Sequence, residues 1–534
     1  MTDDVDAKLT GWRFLLLNIV LAAGNVIALS NVPGYTVLVP YAAGSLQGVN
    51  PSFGTWGTTD HMMGIVLGLP IARVLAARFG EWRVYVIAFL LYAAASFLCA
   101  TSETIWFFVP MRFALGLAGG VIIPLGQGLS LAEFPEHRRG YGAALWGVIS
   151  MAPFTLGVFM GGFWAEYINW RMLFYSNILF GLPIAGIVGA LLYGRATPRR
   201  FVRFDLTGFV LLGTLILLVQ TILNQGNDFD WFGSPVLMTL LLIVVVVLPV
   251  FIFWELGERT PVLDLWLFAK RNYAIAMLCS VAGFLVIQGT LSVFVGQLQT
   301  LLGYTSALAG VVYLSMAVVA VPLVAIVHLL VRDVDLRLVC CVNFIGFAVT
   351  LTWLGLYDKT ASFDQIAMPM AFFGFFLATF FAPTAALGVQ GLAGPRLIRA
   401  AEELTMLRTA FGAYGITSQA VVQFRRAPFH QLGLADQLGG RRFPSLDVLQ
   451  ALMDKFQSLG MSETIARAQV AKTMRQQALL MGLDDAFFFG AVVFVALAGV
   501  VWLAKGPPAK TEAAPQPEPD LAVFEAEEMS EQPF

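Results

Sequence analysis

The sequence predicts an all-α integral membrane protein with fourteen transmembrane helices. Three observations carry that reading. The 534 residues are 58% hydrophobic and only 12% charged, whereas soluble domains are roughly a quarter charged. Apolar runs long enough to cross a bilayer, about 20 residues each, recur at about 14–40, 56–76, 84–101, 106–131, 142–165, 172–193, 206–224, 235–254, 273–296, 306–331, 337–356, 365–389, 403–424 and 482–504. Lysine and arginine crowd into alternate loops between these runs. The net charge of -2 gives no reason to expect nucleic acid as a partner. Cys99, Cys279, Cys340 and Cys341 all lie in apolar runs and read as small buried side chains, and no histidine or cysteine spacing suggests a metal site.

The chain opens with a short polar tail, residues 1–13, without the small-residue cleavage site of a signal peptide. Among the spans, 106–131 stands out. It carries one full charge, Arg112, followed by Gly116, Gly119, Gly120, Pro124 and Gly126. A guanidinium within a span faces a partner or a water-filled cavity, or else snorkels to the near interface; the small residues allow close helix contact. In the fifth span, Pro153 predicts a kink, and Gly157 and Gly161, with Gly162 beside them, suit close helix contact.

The basic loops hold Arg78 and Arg83; Arg138 and Arg139; Arg195, Arg199, Arg200 and Arg203; Arg259, Lys270 and Arg271; Arg332 and Arg337; Arg396 and Arg399. Such residues remain in the cytoplasm, which places both termini there; the inner membrane is the expected location. The one long loop, 425–480, then lies on the other side. Apolar spacing at Leu446, Leu449, Leu452, Met453 and Phe456, and again at Ala466, Val470 and Met474, predicts short amphipathic helices, the second starting at Ser462–Glu463. Residues 507–534, rich in Pro, Ala and Glu, predict a disordered acidic cytoplasmic tail.

At this point the chain resembles the fourteen-span drug:proton antiporter branch of the major facilitator superfamily, and most of all its EmrB-type members. RFALG (Arg112–Gly116) matches the fourth-span R-x-x-Q-G signature, with Leu115 in place of Gln. APFTLGVFMGG (Ala152–Gly162) matches the fifth-span antiporter motif, with Val158 where a proline is usual. LAARFGEWR (Leu75–Arg83) is a weak copy of the motif between spans two and three, and the long loop points to the EmrB type. Where the family ends its first span with an acidic residue nine positions before a proline, this chain has Asn31. The resemblance implies two six-helix halves of inverted repeats around a midplane site: residues 14–200 and 261–506, with two inserted helices in 201–260. It implies export of amphipathic organic compounds in exchange for protons, without a cofactor, and a periplasmic adaptor leading to an outer-membrane channel as partners. The other reading of the long loop is a cap on the protein's own outer mouth. Uptake by proton symport, or a membrane enzyme or scaffold, are the rival functions; no nucleophile–base pair, metal cluster or G-x-x-x-x-G-K-[ST] loop is found.

Because Asn31 cannot titrate, proton coupling falls to other residues. Asp60 and His61 lie inside the second span. A carboxylate in low dielectric resists ionisation and a nearby cation restores it, so Asp60 is the candidate proton carrier, tuned by His61 or Arg112; the other reading is a hydrated residue near the mouth. In the thirteenth span Glu402, Thr405, Thr409, Gly412, Gly415 and Gln419 share one helical face. Glu402 and Glu403 there are either a second coupling site or helix-end charges reaching water, with Arg408 just beyond the ideal pairing step. Gln288 lies with Ser280, Phe284 and Ser292 on a semi-polar face of the ninth span, directed to a cavity or to a helix contact.

Overall fold

The computed structural model describes residues 8–47, 51–195, 199–357, 361–438 and 443–506, and within them every long element is a helix. In chain order these are α1 (Gly11–Ser45), α2 (Pro51–Phe79), α3 (Glu81–Ala100), α4 (Ile105–Glu133), α5 (Arg139–Tyr167), α6 (Met172–Leu192), α7 (Leu206–Gln225), α8 (Pro235–Gly257), α9 (Arg271–Thr300), α10 (Ser306–Asp333), α11 (Leu336–Leu354), α12 (Phe363–Ala378), α13 (Phe381–Val389), α14 (Pro395–Leu438), α15 (Phe443–Ser458) and α16 (Glu463–Val500). Local chemistry sets several starts. Thr104, Asp205, Ser234 and Thr305 each accept an amide hydrogen bond from the first turn of α4, α7, α8 and α10, satisfying donors a helix start leaves open.

Each of the fourteen expected spans coincides with helix. Among the described residues thirteen segments are long and apolar enough to cross a membrane. α14 falls short by that measure because Arg408, Thr405, Thr409, Ser418 and Gln419 dilute its apolar run. α12 and α13 form one span broken at Thr379–Phe380. Pro383 cannot donate to the carbonyl four residues back, and Asn343 Nδ2 donates to Phe376 O and Thr379 Oγ1, both at 2.7 Å.

The helices pair in a repeated order. α1 packs on α5, α2 on α4 and α3 on α6; later, α9 packs on α14, α10 on α12 and α11 on α16. The two sets meet through α5 on α10 and α2 on α14, contacts that a two-fold operation would exchange. α7 and α8 pack on each other, and α7 also touches α2 and α14. α8 is peripheral, with 11% of its apolar window buried against 78% for α9.

Hydrogen bonds tie alternate loops together at either end. At the arginine-rich end, Lys8 Nζ donates to Phe134 O, Arg195 pairs with Glu133, Arg73 with Glu402, and Asn272 joins Gln390 and Lys505. At the other end Arg171 Nη2 donates to Ser102 O, and Tyr41 Oη meets Ser306 Oγ.

Residues 425–480 are not an open loop. α14 and α16 both continue past the apolar runs and carry α15 between them. The separate short helix expected after Ser462 is instead the first part of the 38-residue α16: no proline interrupts the helical spacing, and its first glycine, Gly482, lies against Gln423 O of α14. Ala466 and Val470 are buried, so part of the predicted apolar stripe is covered by this chain. The tail 507–534 and residues 1–7 lie outside the described residues.

Glycine sets the closest seams. A Cβ at Gly116 of α4 would lie 2.0 Å from His61 O of α2, and one at Gly162 of α5 would lie 2.1 Å from Ser306 O of α10. Gly157 and Gly161 likewise lie against Ser30 O and Gly34 O of α1, and Pro153 is buried inside α5. Backbone is the obstacle in each case, so a side chain forces helices apart. Gly116→Val is expected to cost more than the roughly 1–3 kcal/mol typical of overpacking and to remove most of the monodisperse, detergent-solubilised protein in size-exclusion chromatography. Gly128→Ala, where a Cβ meets nothing within 4 Å, is expected to leave yield and melting temperature unchanged.

Candidate transport site

Arg112 does not snorkel: it is 0% exposed. Its Nε donates to Gly57 O at 2.7 Å, its Nη1 to Asn31 Oδ1 and its Nη2 to Asn31 O, both at 3.3 Å. The guanidinium carbon lies 4.5 Å from the ring centre of Tyr35 and 5.5 Å from that of Phe174. No carboxylate pairs with it among the described residues. Asn31 is held in turn. Its amide exchanges hydrogen bonds with that of Asn177 at 3.0 and 3.2 Å, and its Nδ2 also faces Tyr92 Oη. Asn177 Nδ2 donates to Ser96 Oγ at 2.9 Å. Neutral oxygens and ring faces from α1, α2 and α6 thus replace an ion pair, a cation over a desolvated ring contributing about 2 kcal/mol.

His61 is fully buried and its Nδ1 lies 3.1 Å from Arg112 O. It therefore joins α2 to α4 rather than reaching Asp60. Asp60 is half-buried on α2 and has no hydrogen-bond or ion-pair partner among the described residues. Neither Arg112 nor His61 contacts its carboxylate. Next to it, Thr59 accepts from Asn224 of α7 at 3.0 Å, and Asn224 accepts from Thr417 of α14 at 2.8 Å.

A second, partly buried cation lies where the two sets meet. Arg408 of α14 stacks over Phe381 of α13 at 4.6 Å and Phe284 of α9 at 5.7 Å. Phe154 of α5 completes the group, 6.2 Å from Phe381 and 6.4 Å from Phe284. Arg408 does not pair with Glu403. Glu403 is buried and accepts from Asp264 N at 2.7 Å and Tyr273 Oη at 2.9 Å. Glu402 is partly exposed and pairs with Arg73 at 2.9 Å, linking α14 to α2. Gln288 is buried with its Oε1 unpartnered, and Gln419 has neither amide atom paired. Gln419 lies against Gly289 in the α9–α14 seam.

The structure therefore gathers Arg112, His61 and Gly116 at the α2–α4 contact, and Arg408 with Phe284 at the central seam. It leaves Asp60 alone and sends Glu402 and Glu403 to the arginine-rich end. Sequence reading singled out Phe284 but not Phe381, Asn177 or Tyr92. Phe381 follows a helix break that only Pro383 hints at, and Asn177 is a lone amide in an apolar run.

Fold and site together define a multi-pass helical membrane transporter. The family model of the Major Facilitator Superfamily matches residues 19–423, and the chain belongs to that superfamily. It is 28% identical to the multidrug export protein EmrB of Haemophilus influenzae over 93% of this chain and 97% of that protein. It is 30% identical to the fatty acid resistance protein FarB of Neisseria gonorrhoeae over 88% of this chain and 92% of that protein. Among solved structures, the proton:xylose symporter XylE superposes with a TM-score of 0.53 at 14% identity, covering 92% of this chain and 95% of that one. The human organic anion transporter MFSD10 gives 0.54 at 12% identity, over 92% and 99%; these two likenesses concern the fold alone.

Arg112→Lys retains the charge but loses the planar fork. It is expected to assemble with a lower melting temperature, while Arg112→Ala, which strands Asn31 and Gly57 O at about 1–3 kcal/mol per unsatisfied group, is expected to lose most folded protein. Restoring a carboxylate with Asn31→Asp, within ion-pair distance of Arg112, is expected to leave the Arg112→Ala variant unrescued but to raise the melting temperature of the otherwise unchanged chain. Fluorescence-detected thermal unfolding of the four variants checks all three expectations.

Proposed function

We propose that the protein is a secondary active exporter of amphipathic organic compounds, driven by proton antiport. The observation that carries this reading is the Phe154–Phe284–Phe381 group with Arg408 at the seam between α1–α6 and the later helices. Rings and a cation without a carboxylate suit an apolar body with an acidic or electron-rich head. The names of the relatives, multidrug export and fatty acid resistance, favour such cargo. Asp60, ionisable, within a span and unpartnered, is the proposed proton carrier. The halves are residues 14–200 and 261–506, with 201–260 inserted, in the inner membrane, and the arginine-rich end with both termini is cytoplasmic. The helical projection of α14, α15 and α16 is then periplasmic. Its exposed Phe429, Leu432, Leu459 and Ile465 support docking of a periplasmic adaptor that leads to an outer-membrane channel.

Purified protein in liposomes, with an imposed pH gradient and a panel of amphipathic dyes and fatty acids, tests the function. Uphill flux is expected to follow the gradient and collapse with a protonophore. Asp60→Asn is expected to abolish gradient-driven flux while downhill exchange continues; uphill transport by this variant would reassign the proton. Phe154→Ala and Arg408→Gln are each expected to weaken half-saturation by about 2- to 30-fold, the span of a cation–ring contact, with the arginine variant hitting acidic cargo harder than neutral cargo.

Replacing 436–472 by a flexible linker separates the roles of the projection. Flux in liposomes is expected to persist while resistance in cells is lost; a collapse of flux in liposomes would assign the projection to the transporter itself.

A further inference from the structure

A cleft of about 690 Å³ opens at the arginine-rich end, between the end of α2, the α6–α7 linker, the α8–α9 linker and the start of α14. Five arginines line it: Arg73, Arg200, Arg203, Arg396 and Arg399. Among the described residues only two carboxylates do, and both are engaged. Asp205 accepts from Gly208 N at 2.9 Å and Trp254 Nε1 at 3.0 Å, and Asp264 accepts from Trp266 N at 3.1 Å. Arg73 is neutralised by Glu402, and Arg399 donates one Nη to Pro261 O. The side chains of Arg200, Arg203 and Arg396 are exposed and have no hydrogen-bond or ion-pair partner among the described residues.

The walls are held in place. Arg200 N donates to Ala77 O at 2.8 Å, and Arg78 Nη2 donates to Val202 O at 3.0 Å while its guanidinium covers Phe201. The α6–α7 linker is thereby fastened to the end of α2, so the arginines are presented by a preformed wall. Next to the cleft, Phe201 is 82% and Ile398 59% exposed. Apolar side chains so exposed beside free guanidinium groups, where apolar helices end, suit the boundary between acyl chains and headgroups.

We propose that this cleft is a binding site for a phosphate-bearing anion, occupied in the bilayer by the headgroup of an anionic phospholipid. Guanidinium forks match the paired oxygens of a phosphate, and the two apolar side chains lie where the glycerol and upper acyl chains would run. The ligand would touch α2 and α14 beside the Arg73–Glu402 pair, and so would bridge the two sets of helices where they meet. The site is separate from the aromatic group proposed for cargo and does not depend on it.

The test uses the full chain in detergent, with thermal unfolding followed by tryptophan fluorescence. One arm titrates phosphatidylglycerol against phosphatidylcholine in mixed micelles; a second titrates inorganic phosphate against chloride at matched ionic strength. Phosphatidylglycerol is expected to raise the melting temperature saturably and phosphatidylcholine not. Each arginine removed is expected to weaken the half-saturating lipid fraction about fivefold, so that Arg200→Gln/Arg203→Gln/Arg396→Gln loses roughly a hundredfold and Arg396→Gln alone about fivefold. Saturable stabilisation in the lipid arm only assigns the site to the headgroup; a response in the phosphate arm as well extends it to free phosphate. Equal response to both lipids overturns the proposal. So does equal weakening by the control Arg138→Gln/Arg259→Gln/Arg271→Gln, which removes three charges from the same end outside the cleft.

Discussion

A full positive charge, Arg112, is held inside the membrane without a negative one. Transferring an ion into low dielectric costs several kcal/mol even after relaxation, and the residues around Arg112 are arranged to offset that cost. Gly57 O and both oxygens of Asn31 accept its N–H groups, and Tyr35 and Phe174 present their faces. Asn31 can serve because Asn177 and Tyr92 fix its amide. Four helices are thereby keyed to one guanidinium. Each member satisfies another, so the network resists piecemeal change, and it contains no carboxylate. The proton coupling proposed for this chain therefore falls to a group outside the network, and Asp60 is a carboxylate within a span that has no partner among the described residues.

Around that fixed charge, the helices approach until backbones touch. Gly116 against His61 O and Gly157 against Ser30 O lock α4 to α2 and α5 to α1. Between the sets the contacts are fewer in kind: the α5–α10 seam with Gly162 at Ser306, the α2–α14 contact, and polar bridges through Asn224 of α7. The α5–α10 pairing is as extensive as the pairings within a set. The aromatic group of Phe154, Phe284 and Phe381 lies on such a seam, with one ring from the first set and two from the second, so relative movement of the sets would remake its shape.

Much of this was legible in the sequence. Fourteen apolar runs map onto helices because hydropathy and length alone decide which segments leave water. Gly116, Gly157, Gly161 and Gly162 announced close contacts, since small residues in spans have few other uses. The partners of Arg112 were not legible: hydrogen bonding between Asn31 and Asn177 spans 146 positions, and no local pattern reports such a pairing. Glu403 looked titratable from its position yet is spoken for by Asp264 N and Tyr273. In the sequence the projection reads as a long loop with short amphipathic helices because charge marks water but not where a helix stops; without a proline before Gly482, α16 runs on from the polar part into the span. Arg200, Arg203 and Arg396 read as orientation signals, and only the fold shows that they share a cleft.

Export by the proposed route requires the two sets of helices to move as bodies about the seams that join them. This movement is tested most directly by double electron–electron resonance between spin labels at Ser45 of α1 and Thr300 of α9, both exposed at the end opposite the arginines. In liposomes, a second, longer distance population is expected to grow when pH or an amphipathic cargo is changed, while a pair of labels within α1–α6 remains fixed. A single distance for the Ser45–Thr300 pair, unchanged under every condition that supports flux, would contradict it.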